Sequence, residues 1–137
     1  MLSARNCIKG EIKEIKKGAV NGLVKIQSGN ELLTANISLE SIEKLGLAEG
    51  KTAYAVVKAT DVMVALEKVK LSARNQISGK VSEVKKGAVN GIVKIDSDCG
   101  NKFTSTISID SIEELGLEAG KSVYVVIKAT SVMVMVD

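Results

Sequence analysis

Serine, arginine, lysine and threonine stand at matched positions in two parts of this chain. Ser3 and Arg5 match Ser72 and Arg74, Ser38 and Ser41 match Ser108 and Ser111, and Lys58 and Thr60 match Lys128 and Thr130. Every member of this set donates hydrogen bonds, and no carboxylate belongs to it. Arginine offers a planar fork of donors to oxyanions, and lysine adds a mobile point charge. A serine at a helix start brings its hydroxyl and the exposed backbone N–H groups. A ligand that suits donors on all sides is a small tetrahedral dianion: molybdate, tungstate, sulfate or phosphate.

Plainer roles exist for each residue. Ser38 and Ser108 suit helix N-caps. Lys58 and Lys128 suit solvated strand positions. Arg5 and Arg74 could pair with a carboxylate such as Glu11 or Glu14. Lys16, Lys17, Lys85 and Lys86 also recur and read as an exposed turn. Duplication alone would repeat all of these. The joint retention of one chemical type, while neighbours vary, favours the anion.

Composition narrows the function classes. The chain has no histidine, which removes a histidine base, a serine–histidine pair and a histidine metal site. There is no paired acid and base and no Walker motif GxxxxGK[ST], so an enzyme is not expected. The net charge is only +3 and aromatics are 2% of residues. Nucleic-acid binders want a denser basic face and rings for stacking, so no nucleic-acid partner is expected. Cys7 and Cys99 fall at unmatched places, which fits free thiols in a reducing cytoplasm. The N-terminal run MLSARNCIKGEIKEIKK has no apolar signal core. The runs VMVAL and SVMVMV are too short to span a bilayer, so no membrane partner is expected.

The elements that must position these residues also come twice. ARNCIKGEIKEIKKGAVNGLVKI at 4–26 matches ARNQISGKVSEVKKGAVNGIVKI at 73–95. ISLESIEKLGL at 37–47 matches ISIDSIEELGL at 107–117, after a one-residue insertion near Ser97–Cys99. VVKATDVMV at 56–64 matches VIKATSVMV at 126–134. Two modules follow, residues 1–67 and 68–137, joined by LEKVK at 66–70. That joint lacks Gly, Pro and Ser and is short, which predicts closely packed modules.

Within each module IKGEIKEIKKG alternates as a half-buried strand. GAVNGLVKI pairs with it after a turn near Lys17–Gly18, and ELLTANI or NKFTSTI is a third strand. SLESIEKLG then puts Leu39, Ile42 and Leu45 on one helical face, with Ser38 as N-cap and Gly46 as the stop. TAYAVVKA and DVMVAL close the module as two more strands. Three strands, a helix and two strands predict an all-β chain: two tandem OB-fold-type five-stranded barrels, each with one short helix. A two-layer sandwich is the alternative, but closure hides the edges of so small a module. The core of such a module is modest, and subunit association is expected.

The motifs SARN at 3–6 and 72–75, KKGAVNG at 16–22 and 85–91, ISLESIEKLG with ISIDSIEELG, and KATDVMV with KATSVMV occur in one order, twice. In these motifs the chain resembles the molbindins, molybdate-binding proteins built from Mop or TOBE-type modules, in their tandem form. The resemblance implies a cytoplasmic molybdate store or buffer with sites at module interfaces and a homotrimer of two-module chains. It implies that the SAR segment of one module faces the I-S-x-x-S and K-A-T segments of another. Ala59 and Ala129 thereby join the candidates. It further implies an oxyanion site near a threefold axis, for which Gly18, Ala19, Val20 and Asn21 are candidates with Gly87, Ala88, Val89 and Asn90. Molybdate would be favoured over the smaller sulfate by a rigid interface. One departure between the copies matters: Asp61 follows Thr60, whereas Ser131 follows Thr130. A carboxylate near a dianion predicts unequal affinity at the two sites.

Overall fold

The computed structural model describes residues 6–71 and 74–137, with Arg74 described by its backbone pairing alone. The first half contains strands β1 (Asn6–Lys17), β2 (Asn21–Ser28) and β3 (Glu31–Ser38), helix α1 (Leu39–Lys44), and strands β4 (Thr52–Val57) and β5 (Met63–Ala65). The second repeats the order as β6 (Arg74–Lys86), β7 (Asn90–Ser97), β8 (Lys102–Ser108), α2 (Ile109–Leu115), β9 (Ser122–Lys128) and β10 (Met133–Met135). In each half a single 3₁₀ turn, Ala59–Asp61 or Ala129–Ser131, joins the fourth strand to the fifth. The all-β, tandem OB-type reading therefore holds, and the sheets curl as half-barrels.

Alternation makes β1. Asn6, Ile8 and Ile12 point inward, while Cys7, Lys9, Glu11 and Lys13 point out. A bulge between Ile12 and Glu14, matched between Val81 and Glu83, bends the long strand so that it pairs with β4 along its first part and β2 along its last. Bulges of this kind increase local twist and help a sheet curl. The helices cap the sheets through close packing. A Cβ at Gly22 would lie 2.6 Å from the Ile42 Cδ1, and one at Gly91 would lie 2.4 Å from that of Ile112. Glycine leaves the helix isoleucine room to lie against the strand in each half.

The fifth strand departs from expectation. DVMVAL does not close its own module. The sheets run β10-β4-β1-β2-β3 and β5-β9-β6-β7-β8, so each half gives its last strand to the other. Met63, Val64 and Ala65 pair with Val126, Val125 and Tyr124, while Met133, Val134 and Met135 pair with Val56, Ala55 and Tyr54. The 3₁₀ turn explains the exchange locally. Asp61 N–H donates to the Lys58 carbonyl at 2.9 Å and Val62 N–H to that of Ala59 at 3.3 Å, which carries the chain across. Exchange keeps the pairing each half needs and ties the halves together, the logic of a domain swap within one chain.

The core reflects that tie. Buried apolar side chains of both halves, from Ile8 and Val24 to Phe103 and Val132, form one cluster. The end of the joint docks on the second half, where Val69 N–H donates to Gln76 Oε1 at 2.8 Å. A second seam lies at the hairpin tips. Glu31 is buried and accepts from Ser97 Oγ at 2.9 Å and from Asn101 Nδ2 at 2.7 Å.

Candidate functional site

The candidates on the last turns stand where the chain crosses between halves. Lys58 and Thr60 are exposed and Ala59 is buried, and Lys128, Thr130 and Ala129 repeat that pattern. Alternation at the end of β4 and β9 sends the alanine inward and leaves the cation and the hydroxyl outside. Ser3, Arg5 and Ser72 lie outside the described residues. Arg74 opens β6, and its Cα partner across the ladder is Lys128 of its own half. In the second half, then, the strand position of Arg74 and the K-A-T turn are neighbours. The cause is the β6–β9 pairing, which sets their ends side by side.

What faces each crossing is the third strand of the other half. The Ala59–Asp61 turn packs on β8 and the Ala129–Ser131 turn on β3. The Ser105 hydroxyl donates to the Val62 carbonyl there. Asn75 completes the contact. Its Oδ1 accepts from Thr34 N–H at 2.8 Å, and its Nδ2 donates to the Thr34 carbonyl at 2.9 Å. Asn6 repeats this against Thr104, at 2.7 Å and 2.9 Å. Sequence reasoning passed over these asparagines, although they end the SARN motif. The signal was their parity: each sits on the inward face of its strand, where an unpaired polar side chain would be costly.

The serines belong to a different place. Thr34 and Ser38 are separated by four residues of β3, about 13 Å of extended chain. Ser38 Oγ accepts from Ser41 N–H at 3.1 Å and donates to Ser41 Oγ at 2.9 Å, and Ser108 and Ser111 do the same at identical distances. The N-cap role is therefore real. The contact uses one hydroxyl proton of each serine pair and leaves the other for an outside acceptor. The N–H groups offered to an anion at these helix starts are largely consumed. Leu39 N–H donates to the Val20 carbonyl at 2.9 Å and Ile109 N–H to that of Val89 at 3.0 Å.

Those bonds bring the serines to the GAVN turns. Asn21 pairs with Ser38 and Asn90 with Ser108 at the strand ends. Gly18 N–H closes its turn on the Asn21 carbonyl at 2.8 Å, and Gly87 N–H does so on Asn90 at 2.9 Å. The N–H groups of Ala19, Val20, Ala88 and Val89 have no backbone acceptor among the described residues. Val20 and Val89 are each 74% exposed, which is high for valine and marks the turns as projecting. Beside each turn is a shallow groove, of 360 Å³ in the first half and 380 Å³ in the second. Lys16, Lys17, Gly18 and Asn21 line the first, and Lys85, Lys86, Gly87 and Asn90 the second. The paired lysines, read from sequence as an exposed turn, are exposed and also border these grooves.

The structure thus sorts the candidates into two kinds of place. Each crossing sets a lysine and a threonine by the third strand of the other half. Each turn gathers serines, free N–H groups and two lysines. Among the described residues no cluster of three or more His, Cys, Asp or Glu side chains could hold a metal cation. No helix among them is long and apolar enough to cross a membrane.

Comparison with known proteins adds to this geometry. The family model for the TOBE domain matches residues 2–64 and again 71–134. A probable molybdenum-pterin-binding protein of Haemophilus influenzae is 54% identical over 69 residues, half of this chain and the whole of that protein. The molybdenum transport protein ModE of Azotobacter vinelandii is 36% identical over 137 residues, 98% of this chain but 50% of ModE. The chain spans about half the length of that relative. A crystal structure of the cytoplasmic molybdate-binding protein ModG with molybdate bound superposes with a TM-score of 0.95 at 41% identity, covering 99% of both chains.

Proposed function

Because this chain belongs to the TOBE-domain family, with two copies of the domain in tandem, we propose that it binds molybdate in the cytoplasm and serves as a store or buffer. The observation that carries the proposal is chemical. At each crossing the exposed groups are Lys58 and Thr60 or Lys128 and Thr130, the latter beside the strand position of Arg74. An arginine fork, an ammonium and a hydroxyl suit an oxyanion, and a tetrahedral dianion can use all three. The likeness to molybdate-bound ModG over the full chain supports molybdate as that anion. Ser3, Arg5 and Ser72 are assigned to the same crossings by their place in the SARN motifs.

The turns supply a second class of site. Gly18–Asn21 and Gly87–Asn90, with Ser41 and Ser111, offer donors on a projecting surface that one chain leaves open. A homotrimer would bring three such turns around one axis and enclose the anion. Enclosure strengthens each hydrogen bond by excluding water. Binding is by charge and hydrogen bonds, with no covalent step, so the chain is a binding protein and not an enzyme. Tungstate, of the same charge and shape, should bind as well, and nucleic acid should not.

Isothermal titration with molybdate, on protein sized by light scattering, tests this. The expected result is more than one ion per chain, on a trimer, with weak competition from sulfate and phosphate. A folded protein that gives no heat with molybdate would remove the proposal.

A further inference from the structure

Asn6 is 1% exposed and Asn75 is 6% exposed, yet neither belongs to the donor set assigned above. Their amides do a particular job. Besides its two bonds to Thr34, Asn75 Nδ2 lies 3.4 Å from the Ile127 carbonyl, on the residue before Lys128. Asn6 Nδ2 likewise lies 3.2 Å from the Val57 carbonyl, on the residue before Lys58. Each amide imitates one residue of a strand ladder. It joins three backbones: its own strand just after the SAR arginine, its neighbour just before the K-A-T turn, and the third strand of the other half.

Adhesion alone does not require this. An apolar side chain could bury the same surface, but it would not fix the position of one strand along another. A bidentate amide fixes it to a single residue. A slip of one residue moves a strand by about 3.3 Å, more than the tolerance of a hydrogen bond. The halves already have a polar lock at the hairpin tips through Glu31, away from the crossings. The amides are instead set beside the proposed anion donors, in both halves.

We infer that Asn6 and Asn75 are the positioning residues of the two oxyanion crossings, holding the start of β1 or β6 and its K-A-T turn in register with β8 and β3 respectively. The inference rests on the proposed molybdate function. It requires each asparagine to govern one crossing and to leave the GAVN turns alone.

The test is molybdate titration of the full chain as wild type, Asn6→Ala, Asn75→Ala, the double variant and Glu31→Ala, at a temperature where circular dichroism shows each folded. Each single asparagine variant should weaken one class of ion at least tenfold and leave the remaining classes unchanged. The double variant should weaken both crossing classes. Glu31→Ala should lower the melting temperature while every affinity stays within twofold. Should Asn75→Ala fail to fold, Asn75→Ser, whose hydroxyl is too short to span both Thr34 groups, replaces it. An asparagine variant that titrates like wild type overturns the positioning role, and so does a Glu31→Ala variant that loses the same ions. A wild type that binds no molybdate overturns the underlying function instead, so the two failures are distinguishable.

Discussion

The two halves are nearly the same object, and the places where they differ are instructive. Around the SARN, GAVN, I-S-x-x-S and K-A-T motifs they agree closely. The serine caps measure 3.1 Å in both, and the glycine turns close at 2.8 and 2.9 Å. At the hairpin tips they diverge. The first half turns through Ser28, Gly29, Asn30 and Glu31, whereas the second has an extra residue, places Asn101 opposite Ser97 and begins β8 with Lys102 where the first half has Leu32. These tips meet each other. Glu31 of one is held by Ser97 and Asn101 of the other, while Lys102 is exposed and bonds Asp96 of its own half at 3.2 Å. Identical tips would set carboxylate near carboxylate. Divergence is greatest where the tips face their own counterparts, while the asparagine clamps and the K-A-T residues are kept at both crossings.

The largest effect should come where the halves are alike. A Cβ at Gly10 would lie 2.5 Å from the Gln27 carbonyl oxygen, and one at Gly79 would lie 2.5 Å from that of Asp96. Both obstacles are backbone and cannot swing aside. Gly10→Ala and Gly79→Ala should each cost about 3 kcal/mol, at the upper end of typical overpacking, and the two losses should agree in urea denaturation. Unequal losses would show that one half governs the stability of the whole.

A smaller effect should separate the tips. Glu31→Ala leaves two donors without their acceptor in a buried seam and should cost about 2 kcal/mol. Lys102→Ala removes only an exposed ion pair and should cost well under about 1 kcal/mol. Thermal melts of the two variants measure the contrast, and equal shifts would deny the seam its role as a lock.

Much of this was legible in the sequence because it is local. Alternation gave the strands, the Ser38 cap and the Gly46 stop bounded α1, and repetition gave the two modules. The donor chemistry was legible too, since it depends on residue type. What escaped was arrangement. The strand exchange was hidden because Val64 and Val134 would look the same paired within a half or between halves. The clamp at Asn6 and Asn75 was hidden because its partners are backbone groups of Thr104 and Thr34, which no side-chain pattern announces. The closeness of the serines to GAVN was hidden as well, because the Asn21–Ser38 and Asn90–Ser108 pairings depend on strand length.

The smallest effect concerns the charge difference at the crossings themselves. Asp61 stands where the second half has Ser131, and both are half-buried at the end of the 3₁₀ turn. An anion held by Lys58 and Thr60 would meet that carboxylate within a Debye length, about 8 Å at physiological salt, so repulsion is reduced but not abolished. The first crossing should therefore bind molybdate roughly two- to threefold more weakly than the second. Asp61→Ser should bring the two affinities together, and Ser131→Asp should weaken the second crossing by a similar factor. Raising the salt should shrink the gap in the wild type and leave none in Asp61→Ser. Titrations in which neither substitution moves either affinity would mean that the carboxylate faces away from the bound ion. The inequality between the halves would then be confined to the hairpin tips.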